Sequence, residues 1–331
     1  MFPALVVLGF SVPLPLAKPD PARAAVAAAV PKLAAGATGH AEQKSCFACH
    51  NQAYPALALA AARDRGFDVP EKFFKAQATH IAEFLASNKD RFREGKGTGG
   101  QAATASYALL ALELAEHEPD DTTAAVAEYL LKFEPARDHW RTTSNRPPTE
   151  ASDFTTTYVA MRALRTYGAE KDKERIAKRV ESARGWLVKT PAKETEDRVF
   201  RLLGLKEAGA GEKEVAAAAW ELLRTQRDDG GWAQLDGGAA DAYATGSALY
   251  ALHHSGGLKA DSAAYKAGVA FLVKSQLPDG TWKVKSRSKP FQPYYESGFP
   301  HEKDQFISIS ATGWATAALA AAVADTSPKR R

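Results

Sequence analysis

"LLRTQRDDGGW", residues 222–232, and "FLVKSQLPDGTW", residues 271–282, share one frame: Gln226, Gly230 and Trp232 return as Gln276, Gly280 and Trp282. The copies lie 50 residues apart, and self-similarity at such a period marks stacked supersecondary units that bury their apolar faces on one another. The frame survives in worn form at "YLLKFEPARDHW", where Tyr129-Leu130, Glu134 and Trp140 hold the aromatic-Leu, Gln and Trp places. "WLVKTP" from Trp186 and "FLASNK" from Phe84 are further decayed copies, so five versions of one helix end are readable.

Between these ends run segments rich in Ala and Leu: "CHNQAYPAL", "TASYALLAL", "TTYVAMRAL", "DRVFRLLGL", "YATGSALYAL" and "ATGWATAAL". Ala and Leu at helical spacing make good buried helices. Six more polar stretches, at about 22–36, 70–93, 120–134, 171–190, 212–227 and 260–276, read as amphipathic outer helices. Twelve alternating helices bury all their apolar faces if the pairs close into a ring with the apolar six inside. The expected class is therefore all-α, a single domain over residues 25–325 followed by a short basic tail, 326–331. An open helical-hairpin solenoid would instead show regular repeats of about 34 to 47 residues and no Gly-x-Trp signature.

With 45% apolar and 25% charged residues the chain has the composition of a soluble globular protein. A net charge of +4, spread evenly apart from the C-terminal "PKRR", does not suit a nucleic-acid partner. No run reaches the roughly 18 apolar residues of a transmembrane helix, so no membrane span is expected in the mature protein. The opening "MFPALVVLGFSVPLPLA" has signal-peptide length, with small residues at Ala17 or Ala22 to Ala24 for cleavage. A basic start is missing and Pro3, Pro13 and Pro15 interrupt the apolar stretch. The expectation is nonetheless export, to the periplasm or another extracytoplasmic space, with residues 1–24 as the signal.

The only two cysteines stand in "KSCFACHNQ", residues 44–52, as Cys46-Phe-Ala-Cys49-His50. With two cysteines and eight histidines in 331 residues, chance produces this arrangement on the order of once in several thousand sequences. A disulfide across two residues is strained, and a thioredoxin-like motif needs a βαβ setting that is absent from the surrounding pattern. Zinc could use Cys46, Cys49 and His50, but no second Cys or His pair supplies a fourth ligand. One covalent haem fits the spacing: the two thiols reach the two vinyl groups and the adjacent imidazole reaches iron. Haem, zinc or redox thiols, and no cofactor all remain open on the motif alone.

The Gln-x-x-x-Gly-x-Trp frame resembles that of the terpenoid cyclase and protein prenyltransferase superfamily, the squalene-hopene cyclase-like proteins with prenyltransferase/squalene oxidase repeats. The resemblance covers about residues 40–322 and implies an (α/α)6 toroid of two concentric layers, with a cavity where the inner helices begin. It implies a structural role for Gln226, Gly230, Trp232, Gln276, Gly280 and Trp282. "SCFACH" together with "ESGFPH", residues 296–301, further resembles exported bacterial proteins that combine this toroid with a Cys-x-x-Cys-His motif. That likeness makes covalent haem the working expectation.

Counting back seven residues from the Leu that closes each inner segment gives His50, Thr157, Arg198, Thr245 and Thr312. His50 thus takes an inner-helix N-terminal place, on the rim the superfamily uses. Four residues earlier stand Cys46, Asp153, Glu194, Asp241 and Ser308, types that suit helix starts. The resemblance fails at the family's catalytic residues. Proton-initiated cyclases carry Asp-x-Asp-Asp-Thr, and here Asp153-Phe-Thr155-Thr-Thr157 replaces the middle acid with a hydroxyl far too weak to protonate a double bond. The prenyltransferase Asp-x-Cys zinc pair is matched by Asp241-Ala242-Tyr243, which lacks the thiolate.

Two long connections, "RDHWRTTSNRPPTEASDF" and "KSRSKPFQPYYESGFPHEKDQF", are expected on the same rim, and long loops in compact domains are usually functional. Candidates for the group opposite His50 on iron are His301, His139 and Met161, with an open position as the alternative. Three functions follow as expectations. The first is an exported redox protein whose haem passes electrons to a partner protein or handles a small ligand. The second is an isoprenoid-processing enzyme acting on a hydrophobic small molecule with Asp153, Asp241 or Asp304 as acid. The third is a binding scaffold with a structural haem or metal.

Overall fold

A computed structural model describes residues 20–289 and 293–325. The segments expected as a leader, residues 1–19, and as a basic tail, 326–331, lie outside them. The described residues form thirteen α-helices with no strand beyond two isolated bridges.

The inner helices are α2 (Tyr54–Arg63), α5 (Gln101–Leu114), α7 (Asp153–Tyr167), α9 (Thr195–Glu207), α11 (Ala242–His254) and α13 (Gln305–Ala322). Each packs on the next, and α13 packs back on α2, so the ring closes. The outer layer is α1 (Pro21–Gln43), α3 (Glu71–Ser87), α6 (Asp121–Lys132), α8 (Lys173–Lys189), α10 (Glu212–Leu223) and α12 (Ala263–Ser275), with the short α4 (Lys89–Arg93) after α3. The expected all-α toroid is the observed fold. Its first helix begins at Pro21, one residue before the expected start at about 22, and runs on to Gln43: Asp20 accepts from the Ala22 N–H and Ala22 is buried. None of the described helices is long and apolar enough to cross a membrane.

The repeated frame is a tie between outer helices. Gln276 Nε2 donates to the Gly280 carbonyl (3.0 Å) and across to the Ala25 carbonyl of α1 (2.9 Å). Gln226 repeats this with Gly230 and with Ala264 of α12, both at 2.8 Å. Trp232 and Trp282, wholly buried, return their indole N–H to Leu222 and Leu272, carbonyls that end the preceding helices. Gly280 has φ +88, and a Cβ there would stand 2.4 Å from the Ala28 carbonyl, so both conformation and close approach demand glycine. In the worn copy, where Glu134 replaces Gln, Arg179 of α8 donates to the carbonyls of Phe133 (2.9 Å) and Glu134 (3.3 Å) and stacks on Trp140. A guanidinium does there what the amide does elsewhere.

The threonines found by counting back, Thr157, Thr245 and Thr312, accept the backbone N–H of Trp140, Trp232 and Trp282. Asp241 and Glu194 cap α11 and α9, while α7 is capped by Ser152, with Asp153 its first residue. Ser308, expected at a helix start, lies inside α13, which begins one turn earlier at Gln305. Its hydroxyl accepts the Val284 N–H.

The centre of the ring is filled. Tyr54, Tyr107, Tyr158, Phe200, Tyr250 and Trp314 converge there, with Tyr250 and Trp314 ring centroids 5.0 Å apart, and leave about 10 Å³. Arg162 enters this cluster with its charge matched by Glu113 at 2.9 Å and donates a hydrogen bond to Tyr158 Oη at 3.1 Å.

Candidate functional site

Open space lies at the rim where the inner helices start. Cys49–Ala53 form a π-helical turn that runs into α2, and the Tyr54 N–H closes it onto the Cys49 carbonyl. Pro55 follows at once. Proline cannot donate, and its ring crowds the carbonyl four residues back, so a wide turn is a natural way into a helix that starts with proline.

This turn presents Cys49 and His50 beside a cavity of about 880 Å³ whose wall also includes Cys46, Phe84, Arg91, Gly99, Asn145, Arg146, Glu150, Lys289 and Tyr295. Both long connections reach it, as expected. Cys46 is exposed and Cys49 buried, and both are free thiols. A smaller cavity of about 330 Å³ also touches His50, bounded by Tyr294, Tyr295 and Phe306.

Cys49 Sγ donates to Glu150 Oε1 at 2.8 Å, and Glu150 is in turn paired with Arg146. Burial, then the neighbouring Glu150 carboxylate, pushes the thiol well above its ordinary range. Ligand atoms of Cys49, His50 and Glu150 lie within 4.8 Å of one another, all three residues buried. Glu150 is thus a member of the site that spacing alone did not reveal; it stands 101 residues from Cys49.

His50 is 6% exposed. Burial first, then Arg146 and His40, lower its pKa to about 3, so the ring is neutral. Its Nδ1 is buried without a hydrogen-bond partner. In the corresponding register the threonines hold a tryptophan N–H; the imidazole at this place is left free. A neutral, unpartnered imidazole beside a thiol is the form a metal ligand takes.

Two histidines hold the motif's backbone. His40, at the end of α1, donates from Nε2 to the Cys46 carbonyl (2.8 Å) and accepts at Nδ1 from Tyr295 Oη (2.7 Å). His80, from outer helix α3, does the same with the Lys44 carbonyl (2.7 Å) and Gln52 Nε2 (3.0 Å). Burial, the largest influence, lowers the His40 pKa to about 4 and keeps it neutral for this role. Tyr295 also accepts from Asn51 Nδ2 at 2.8 Å. The segment carrying Tyr295 is seated on α1, where a Cβ on Gly39 would stand 2.2 Å from the Ser297 carbonyl. The segment around "ESGFPH" therefore braces the "SCFACH" loop.

The expected iron ligands and the acids Asp153 and Asp241 lie elsewhere, while Asp304 lines the smaller cavity beside His50. His301 Nε2 is bonded to Thr281 Oγ1 at 2.7 Å, and His139 stacks on Trp186 between Asp138 and Asp153. Met161 is 1% exposed inside the ring. None of the three lines the cavity beside His50. Asp153 accepts the Thr142 N–H (2.8 Å); burial pushes its pKa up, but His139 and that N–H outweigh it and hold it low. Asp241 caps α11, with its pKa raised by burial, and Asp304 accepts the Ser286 N–H.

One acid was not foreseen. Glu196, at the start of α9 and fully enclosed, accepts from Thr155 Oγ1 and from Tyr243 Oη, both at 2.9 Å. Burial lifts its pKa to about 8. A carboxylic acid therefore touches Thr155, the position from which the cyclase acid is missing.

Closed ring, paired helix layers and rim cavity define an α/α toroid of terpene-cyclase type. Residues 163–331 match the squalene-hopene cyclase C-terminal domain, and the chain belongs to that family. Among solved structures, a type II terpene cyclase from Scytonema, in complex with its product merosterolic acid A, superposes with TM-score 0.56 at 14% identity, covering 92% of this chain and 98% of that one. A protein from Actinoplanes gives TM-score 0.54 at 16% identity, covering 90% and 99%. At these identities the likeness is one of fold. Comparison with curated proteins finds no match.

Proposed function

We propose that this protein is an exported c-type haem protein in which Cys46 and Cys49 hold one haem by thioether bonds and His50 binds its iron, with the toroid as a rigid platform for redox or small-ligand chemistry. The observation that carries the reading is the cavity of about 880 Å³ that both cysteines and His50 line, within the range of about 300–1,000 Å³ usual for cofactor sites. Its charges suit a dianionic porphyrin: Lys44, Arg91, Arg146 and Lys289 stand against the single acid Glu150. The bound group supplies one-electron chemistry and a site for ligands at iron. The chain's own residues do the rest. His40 and His80 fix the loop that carries Cys46, Arg146 and Glu150 seat Cys49, and Phe47, stacked with Phe84, anchors the loop's apolar side.

A second reading, an isoprenoid-processing enzyme, is favoured by Glu196, a protonated acid in the right neighbourhood. It is opposed by the filled ring, since about 10 Å³ cannot admit a polyprenyl chain. A third, a metal held by Cys49, His50 and Glu150, has its donor set assembled but excludes thioether formation at Cys49.

The test is a haem stain of a denaturing gel with a pyridine haemochrome spectrum, on protein exported from cells with c-type maturation machinery, beside Cys46→Ala/Cys49→Ala. A stained band lost in the variant supports covalent haem; well-folded exported protein without haem, but with stoichiometric zinc or iron, supports the metal reading instead.

A further inference from the structure

We infer that iron bound at His50 keeps its sixth position open and takes small exogenous ligands, which rests on the covalent-haem reading. All eight histidines and Met161, the one internal methionine, are among the described residues, so the donors that usually complete such an iron can each be located. The cavity that His50 lines contains one other imidazole, His40. Both its ring nitrogens are committed, to Tyr295 Oη at 2.7 Å and to the Cys46 carbonyl at 2.8 Å. Turning it toward iron would release the backbone of the very loop that carries the first thiol. His80 is bound in the same way to Lys44 and Gln52.

The remaining donors are out of place. His301 serves Thr281, His139 is held between two aspartates and Trp186, and Met161 is enclosed among the inner helices. His117, His253 and His254 stand at or beyond the C-terminal ends of α5 and α11, at the opposite rim from the turn that bears His50. On the same wall Tyr295 Oη is engaged by His40 and Asn51, and Glu150 by Cys49 and Arg146.

The same wall sets the ligand class. Four cations against one carboxylate favour small anions such as cyanide or azide at ferric iron, and carbon monoxide, which needs only space and a lone pair, at ferrous iron. An open position separates a ligand-handling protein from a purely electron-transferring one, whose iron is closed on both faces by the protein.

The experiment uses covalently loaded, exported protein: the ferric absorption and electron-paramagnetic-resonance spectra, then titration with cyanide, and with carbon monoxide after dithionite reduction, for the parent and His40→Gln. The expected result is a high-spin ferric spectrum, a low-spin cyanide adduct and one carbon monoxide bound per haem; His40→Gln, which frees the Cys46 carbonyl and loads less haem, shows the same spin state and ligand binding in its loaded fraction. A low-spin ferric spectrum with no carbon monoxide adduct overturns the inference while leaving covalent haem standing; low-spin iron that becomes high-spin in His40→Gln overturns it and names His40 as ligand. Absence of covalent haem removes the reading beneath it and the inference together.

Discussion

Glu196 makes the stability of this fold depend on pH in a direction opposite to most acids. Its carboxyl holds a proton up to about pH 8 in the folded chain, against a starting value of 4.5. Below about 4.5 the group is protonated folded or unfolded, and its burial carries no charge penalty. Between 4.5 and 8 only the folded chain keeps the proton, so stability falls as pH rises, by about 1.4 kcal/mol per unit. Over the whole window the loss is about 5 kcal/mol, a large share of the total stability of about 5–15 kcal/mol typical of a native protein. Glu196→Gln keeps the shape and removes the titration. Urea unfolding of both proteins at pH 5, 6.5, 8 and 9 should show the variant gaining on the parent as pH rises, by several kcal/mol, with the gain levelling off above about 8. A parent-to-variant difference that does not change with pH would refute the argument. A carboxylic C=O stretch present at pH 6 in the parent and missing in Glu196→Gln gives a second readout.

Gln276→Ala removes one hydrogen bond to α1 and one within its own turn and should cost about 2 kcal/mol in urea unfolding, with haem loading unchanged. Arg179→Ala strips a charged donor from the end of α6 and should cost about 3 kcal/mol, more than the neutral glutamine, by the same assay. Gly39→Ala would push a methyl against the Ser297 carbonyl and displace the brace, so haem loading per chain should fall several-fold while circular dichroism keeps its helical signal. Tyr295→Phe, which removes only the hydroxyl shared by His40 and Asn51, should lower loading in the same direction but less.

The repeat frame made the ring readable because its signal is local. A glutamine, a glycine of positive φ and a tryptophan sit within seven residues, and each does its work close by. The alternation of small-apolar and amphipathic segments likewise reports burial directly, and the inner and outer layers were assigned from it. Counting back from Leu57 puts His50 at the start of an inner helix, where the turn into α2 lies, since a helix fixes the distance between its start and its closing leucine.

What stayed hidden depends on contacts between distant segments. Glu150 faces Cys49 only because the turn around Arg146 folds over the rim, and Glu196 meets Thr155 only because α7 and α9 are neighbours in the ring. The plugged centre was equally silent: Tyr54, Tyr158 and Trp314 read as ordinary inner-helix aromatics until the ring brought them together. The task that His40 and His80 share, binding loop carbonyls, follows from the loop's path between α1 and α3.

The central claim is that this toroid carries a haem through Cys46 and Cys49. Intact-mass spectrometry of the exported, denatured protein measures it without reference to any activity. The account requires the polypeptide plus one haem, partial retention with either single cysteine replaced, and the bare polypeptide when both are alanine. A bare polypeptide mass for the parent, from cells that load a control c-type cytochrome, would contradict it.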